Sequence, residues 1–330
     1  MKMRWFIIGS NSFSGASFIR HLLEKRETVA GCSRSKEACD VFLPYKWIPE
    51  SRKFIFHQFD LNHDTNQIIH AIRNYQSEYV VNFAAQSMVA ESWLYPAQWY
   101  QTNVVANVRL HEELRKLQNI SKYVQVTTPE VYGSCSGEVK ENDLFNPSTP
   151  YAASRAACDL HLMTFYKQYK FPVVFTRAAN VYGQGQQLYR IIPKAIFCIK
   201  TGRKLPLHGG GTSVRSFIYI DDVSEATRLI AENGRPGESY HISTLNIVSI
   251  RKLVEIICAE MGVCFEDVVE MAGERAGKDT VYRLNSSKIR HDLGWQDRMT
   301  LERGITEVVS WMEKHWDLIK DMKAEYVHRT

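Results

Sequence analysis

The chain has 330 residues, of which 45% are hydrophobic, 7 cysteines and a formal net charge of +5. That length carries one large domain or two intimate ones, and its basic residues are interleaved with acidic ones, which excludes a nucleic-acid arm. No apolar run reaches the ~18 residues of a membrane span, no signal-peptide cleavage pattern opens the chain, and an odd cysteine count without C-x-x-C points to reduced thiols in a cytoplasm.

In chain order, strand-like apolar runs alternate with helical patterns. Trp5–Ile8 reads as a strand and 17–25 as a helix with Phe18, Ile19, Leu22 and Leu23 on one side. Strands at 29–32 and 54–59, a helix at 68–75 and a strand at 79–83 come next. A long helix is expected over 103–117, then the strand that opens at Lys122, a helix over 151–169 and a strand at 173–176. This rhythm predicts an α/β, Rossmann-like, doubly wound parallel sheet covered by helices on both faces. From Asn180 onward the pattern loosens into Gly- and Pro-marked segments, which predicts a smaller substrate-binding region in the carboxy-terminal part. The expected division is 1–180 for the dinucleotide-binding domain, with 216–245 returning to it, and 181–330 mainly for the substrate.

The first β–α turn is G-S-N-S-F-S-G at 9–15. Such a loop offers backbone N–H groups and a helix dipole to a pyrophosphate, so Gly9, Asn11, Ser12, Phe13, Ser14 and Gly15 are candidate cofactor contacts. Ser12 stands where a third glycine is usual. The second strand ends Ser33-Arg34 rather than in a carboxylate. A guanidinium there suits a 2′-phosphate, which predicts NADP in preference to NAD.

Two further runs carry chemistry: T-T-P-E-V-Y-G at 127–133 and Y-A-A-S-R at 151–155. The first ends a strand and the second opens a helix behind Pro150, so Thr128, Glu130, Tyr151 and Arg155 are expected to converge on one substrate carbon. A phenol beside a fixed cation is expected to have a lowered pKa and to serve as a base. The eleven histidines have no metal-ligand spacing, and no metal site is expected. Trp311, His315, Trp316 and Ile319 recur at helical spacing and read as packing.

Taken together, these blocks resemble the extended short-chain dehydrogenase/reductases, and most closely the nucleotide-sugar 4,6-dehydratases. The resemblance also runs through Asp60-Leu61, N-F-A-A-Q-S at 82–87, T-N-V-V-A-N at 102–107, R-A-A-N-V-Y-G at 177–183, R-S-F-I-Y-I-D-D at 215–222 and E-R-A-G-K-D at 274–279. It implies that Asp60 and Leu61 line the adenine pocket and that Ala84, Ala85 and Gln86 pass along the cofactor. Tyr151 would take the proton from the C4 hydroxyl of the sugar, with Thr128 and Gln86 beside the substrate and Glu130 removing the C5 proton so that water leaves C6. Asn180, Arg190, Arg215 and Arg275 match positions that hold the nucleotide diphosphate, a task suited to the planar fork of arginine. Family members also pair two long helices into a homodimer, and the apolar Val104, Val108, Leu160 and Phe165 permit that here.

The chain departs from the pattern at Pro129, which replaces an acid and cannot donate a proton, and at Arg155, which replaces a lysine. The reading is therefore an NAD(P)-dependent 4,6-dehydratase of a nucleotide-diphosphate sugar. A C4 dehydrogenase, epimerase or decarboxylase of the same family, or a catalytically weak binding protein, is the alternative.

Overall fold

The computed structural model describes residues 2–135, 137–273 and 283–328. Seven strands form the central sheet: β1 (Arg4–Ile8), β2 (Thr28–Ser33), β3 (Ile55–Gln58), β4 (Tyr79–Asn82), β5 (Lys122–Val126), β6 (Val173–Ala178) and β7 (Ser239–Ile242). Their order is β7-β6-β5-β4-β1-β2-β3, and every pairing is parallel. The order reverses between β1 and β4, so a crevice opens beyond the carboxyl ends of these two strands.

The strands are apolar on both faces because helices cover both. In β1, Trp5 and Ile7 face a core that takes in Phe18, Ile19 and Leu22 of the helix Phe13–Glu24. The alternate residues Phe6 and Ile8 pack with Ile68 and Ile72 of the helix Thr65–Asn74, and with Leu110 and Leu162. This is the continuous hydrophobic run of a doubly covered parallel strand.

One stretch differs from the reading of the sequence. The expected helix over 103–117 is continuous with an earlier one, running through Pro96–Tyr100, a π turn at Gln101–Ala106 and Asn107–Leu114. The reason is polar: Asn103 and Asn107 are fully buried and make inward hydrogen bonds, and π turns accommodate such insertions. β7 lies within 216–245, the stretch expected to return to the first domain, and pairs with β6 from Ser239↔Phe175 to Ile242↔Ala178. Short strand pairs elsewhere, such as Asn180–Tyr182 with Phe217–Tyr219, hold the cover over the crevice. Among the described residues no helix is long and apolar enough to cross a membrane, and all seven cysteines are free thiols.

Candidate active site

The glycine loop lies between β1 and the helix Phe13–Glu24. Gly9 has φ +85, and a side-chain carbon there would sit 2.7 Å from the amide nitrogen of Ala84. At Gly15 such a carbon would lie 2.3 Å from the Gly9 carbonyl oxygen. Both positions therefore exclude any side chain, which leaves room for a ligand to approach the backbone. Ser12 fits without strain at φ -70: it caps the helix, accepting from the Gly15 N–H at 3.0 Å and donating to the Gly9 carbonyl at 2.7 Å. The loop is tied to the end of β2. The Ser33 hydroxyl accepts the Asn11 N–H at 2.9 Å, and the Asn11 amide donates to the carbonyls of Ser35 and Lys36. Phe13 is buried, Ser14 half-buried, and Arg34 half-buried at the rim beyond Ser33.

Behind the adjacent strand, Asp60 caps its own turn by accepting from Asn62 N–H at 2.8 Å, while Leu61 packs into the core beside Ile8 and Cys32. The loop after β4, with Ala84, Ala85 and Gln86, is clamped by buried asparagines. Asn82 accepts from the Ala84 N–H, Asn103 accepts from the Gln86 N–H at 2.9 Å, and Asn103 donates back to the Gln86 carbonyl at 3.0 Å. Asn103 also donates to Ser154, and Asn82 donates to Asn107 at 2.7 Å and to the Tyr123 hydroxyl. Buried polar groups satisfied this fully rigidify what they join. The block T-N-V-V-A-N was visible in the sequence, but the work of Asn103 and Asn107 was not, since buried asparagines carry no periodicity.

At the end of β5, Thr128 leaves the strand with extended backbone and caps the turn Pro129–Tyr132, accepting from the Glu130 N–H at 3.3 Å. Thr149 caps the helix Pro150–Tyr169 in the same manner and sets Tyr151 in its first turn. The two caps aim Thr128, Glu130 and Tyr151 at one point. The Tyr151 phenol is hydrogen-bonded to the Thr128 side chain, and the charges of Arg155, Glu130 and Arg190 reach it. Its pKa lies above the ordinary value, contrary to the lowering expected from the sequence. Burial outweighs the pull of Arg155, while Glu130 adds to the upward push and Thr128 and Arg190 oppose it.

Arg155 is 2% exposed and donates to the Val126 carbonyl at the end of β5, so one branch of its fork is spent on the strand. One turn farther along the helix, Asp159 pairs with Arg177 of β6 at 2.8 Å and accepts from Thr127 at 2.9 Å. This buried pair, missed in the sequence, fixes the helix against the strand end that carries Thr128. Breaking such a pair by removing one partner strands the other charge, at about 3–5 kcal/mol.

On the facing wall, Asn180 opens the strand Asn180–Tyr182 and bonds its N–H to the Ser216 carbonyl. Arg190 occupies the N-cap position of the helix Ile191–Thr201 without a side-chain capping bond, and its guanidinium lies 5.3 Å from the centre of the Tyr189 ring. Arg215 is half-buried and donates to the Val214 carbonyl at 2.8 Å. Arg275 lies outside the described residues.

A family model described as GDP-mannose 4,6 dehydratase matches residues 6–308. The human dTDP-D-glucose 4,6-dehydratase is 34% identical over 250 residues, covering 74% of this chain and 71% of the human protein. The crystal structure of DesIV, a dTDP-glucose 4,6-dehydratase from Streptomyces venezuelae with NAD and TYD bound, superposes with a TM-score of 0.88 at 28% identity, over 96% of this chain and 98% of that one. The dTDP-glucose 4,6-dehydratase of Bacillus anthracis in complex with NAD gives 0.86 at 29% identity, over 96% and 98%. With the match to the family model spanning nearly the whole Rossmann-like sheet and its cover, this chain belongs to the GDP-mannose 4,6 dehydratase family of extended short-chain dehydrogenases.

Proposed function

We propose that the protein is an NAD-dependent 4,6-dehydratase of a nucleotide-diphosphate sugar, converting it to the 4-keto-6-deoxy form. The observation that carries this reading is the meeting of Thr128, Glu130 and Tyr151 at the end of β5, facing the glycine loop across the switch point of the sheet. The bare backbone at Gly9 and Gly15 fits a dinucleotide, which Asn11, Ser12, Phe13, Ser14, Asp60, Leu61 and Ala84 to Gln86 would surround. When bound, the nicotinamide would take hydride from C4 and give it back at C6.

The residues of the chain divide the proton transfers. Tyr151, as phenolate, accepts the C4 hydroxyl proton while Thr128 holds the same oxygen. The 4-ketone would acidify the C5 hydrogen, and Glu130 removes that proton and passes it to the departing C6 hydroxyl, which leaves as water. With hydride handed back at C6 by a bound nicotinamide, a proton entering C5 would balance the one Tyr151 took from the C4 hydroxyl and gives up again, so the cofactor would undergo no net change. Pro129 offers no proton, so Glu130 is the one carboxyl in this turn. Arg190, Arg215 and Arg275 would hold the diphosphate, with Asn180 beside them and Gln86 near the sugar. Arg155 supports the phenol through its charge.

NAD is the cofactor in the solved dehydratase relatives. The preference for NADP expected from Ser33 and Arg34 draws no support from them, and the Ser33 hydroxyl already serves Asn11. We further read 1–180 with 216–245 as the dinucleotide domain and 181–330 as mainly the substrate region, a division supported by the return of β7 to the sheet. Of the residues expected on a homodimer face, Leu160 is exposed, which supports the pairing, while Val104, Val108 and Phe165 are half-buried. The free thiols fit a reducing cytoplasm.

The test is incubation with dTDP-glucose and other nucleotide hexoses, read by mass for loss of one water, in wild type and Glu130→Gln. The variant should lose about 10²–10⁴-fold in dehydration, the usual contribution of a general base, while still transferring hydride from C4. Dehydration at a near-normal rate by Glu130→Gln would overturn the assignment. Inversion at C4 without water loss by the wild type would make the protein an epimerase.

A further inference from the structure

After the last helix, Trp316–Ile319, the chain is anchored by the buried Ala324 and then runs back toward the crevice. His328 lies flat against two rings that follow the clamped loop after β4. Its ring is 5.1 Å from Tyr95 at 3° and 5.4 Å from Trp99 at 13°. Its Nε2–H donates to the Gln98 side-chain oxygen at 2.7 Å. Two residues earlier, Tyr326 sets its ring edge-on to Tyr189 at 5.2 Å and 75°. Tyr189 in turn underlies the Arg190 guanidinium. The charges of Glu91, Arg34 and Arg190 all reach the Tyr326 phenol, so this ring sits between the two walls of the crevice.

We propose that the segment Ala324–His328 is a latch that ties the Pro96–Tyr100 helix and its cap residue Tyr95 to the Tyr189–Arg190 corner, with Tyr326 and His328 as positioning residues for Arg190. The order of contacts is His328 on Tyr95 and Trp99, Tyr326 on Tyr189, and Tyr189 under Arg190, whose charge reaches the Tyr151 phenol. A free arginine gives up much rotamer freedom on binding phosphate, whereas one already seated on a ring gives up less. The latch thus lowers the ordering cost of diphosphate binding. This inference rests on the reading that Arg190 meets the substrate diphosphate.

The experiment uses the full chain as wild type, Tyr326→Ala, Tyr326→Phe and His328→Ala, with dTDP-glucose as substrate probe. An aromatic edge contact corresponds to a factor of about 2–12, so KM should rise by that factor in both alanine variants, with a smaller change in kcat. Tyr326→Phe keeps the ring and should restore the wild-type KM. Hydrogen exchange of the amides at 188–191, measured without nucleotide sugar, should quicken in Tyr326→Ala. Unchanged exchange overturns the latch, as does an unchanged KM in both alanine variants. If exchange quickens but the wild type neither binds nor turns over any nucleotide hexose, the latch stands as structure and the proposed function falls instead.

Discussion

The crevice has two walls made of different materials. On the sheet side, the glycine loop and the 83–86 loop are held by backbone approach and buried amides, with no space for one further carbon at Gly9 or Gly15. On the facing side, Arg190 and Arg215 are held by a ring face and a neighbouring carbonyl, and the Tyr326 ring presses on that corner. The first wall is a mould, set before any ligand arrives. The second is a set of side chains whose geometry depends on packing between distant parts of the chain. Damage to the first should therefore fall on the cofactor and be the larger, and damage to the second should fall on the substrate and be the smaller.

Between the two walls, the larger effect is expected at the mould. In Gly15→Ala the new carbon would meet the Gly9 carbonyl oxygen at 2.3 Å, so the turn must open. Forcing one carbon into a filled space costs about 1–3 kcal/mol, which corresponds to a drop of roughly 5- to 150-fold in NAD affinity. Cofactor content of the purified variant, with titration of NAD into it, checks this. A fully loaded Gly15→Ala protein would show that the mould yields as readily as the opposite wall.

How much of each wall was legible in the sequence follows the same division. The glycine loop, the Thr128–Glu130 turn and the Tyr151 helix start are local patterns, since a strand end, a capping hydroxyl and a proline at the first helical turn lie within a few residues. The buried clamp of Asn82, Asn103 and Asn107 was not legible, because its partners come from three elements and leave no spacing to read. The return of 216–245 to the first domain was legible, but the strand that makes it, Ser239–Ile242, is a short run whose partner lies more than 60 residues earlier. The direction of the Tyr151 pKa failed for a related reason. Charge proximity can be guessed from Arg155 at one helical turn, but burial depends on everything packed above the ring.

Arg155 stands between the two walls and tests the comparison at intermediate strength. Its charge is the largest influence drawing the Tyr151 pKa down against burial, and its fork holds the end of β5. Removing the charge in Arg155→Ala raises the phenol pKa further. With the phenolate as the proposed base, the rate would climb with pH through that pKa, and the rising limb of the profile should move to higher pH. Arg155→Lys keeps the charge and should leave the limb close to its wild-type position. A limb that does not move in Arg155→Ala would mean that another cation sets the phenol, with Arg190 as the next to vary.

The smallest effect is expected at Arg34, at the rim of the mould, where the charges of Arg34 and Arg190 both reach the Tyr326 phenol. A half-exposed cation at a rim contributes about 0–1 kcal/mol to an ionic contact. With NAD as cofactor there is no 2′-phosphate to meet, and Arg34→Ala should change NAD affinity by no more than about fivefold. NADP is the discriminating probe. A charge-assisted bond to its 2′-phosphate would be worth about 1.5–3 kcal/mol, so Arg34→Ala would then cost roughly 10- to 150-fold in NADP affinity. Parallel titrations of both cofactors into wild type and variant decide the matter. Equal small losses place Arg34 with the adjustable wall, contributing through the Tyr326 corner. Tighter NADP binding by the wild type, reversed in the variant, would place it in the mould and return the cofactor to NADP.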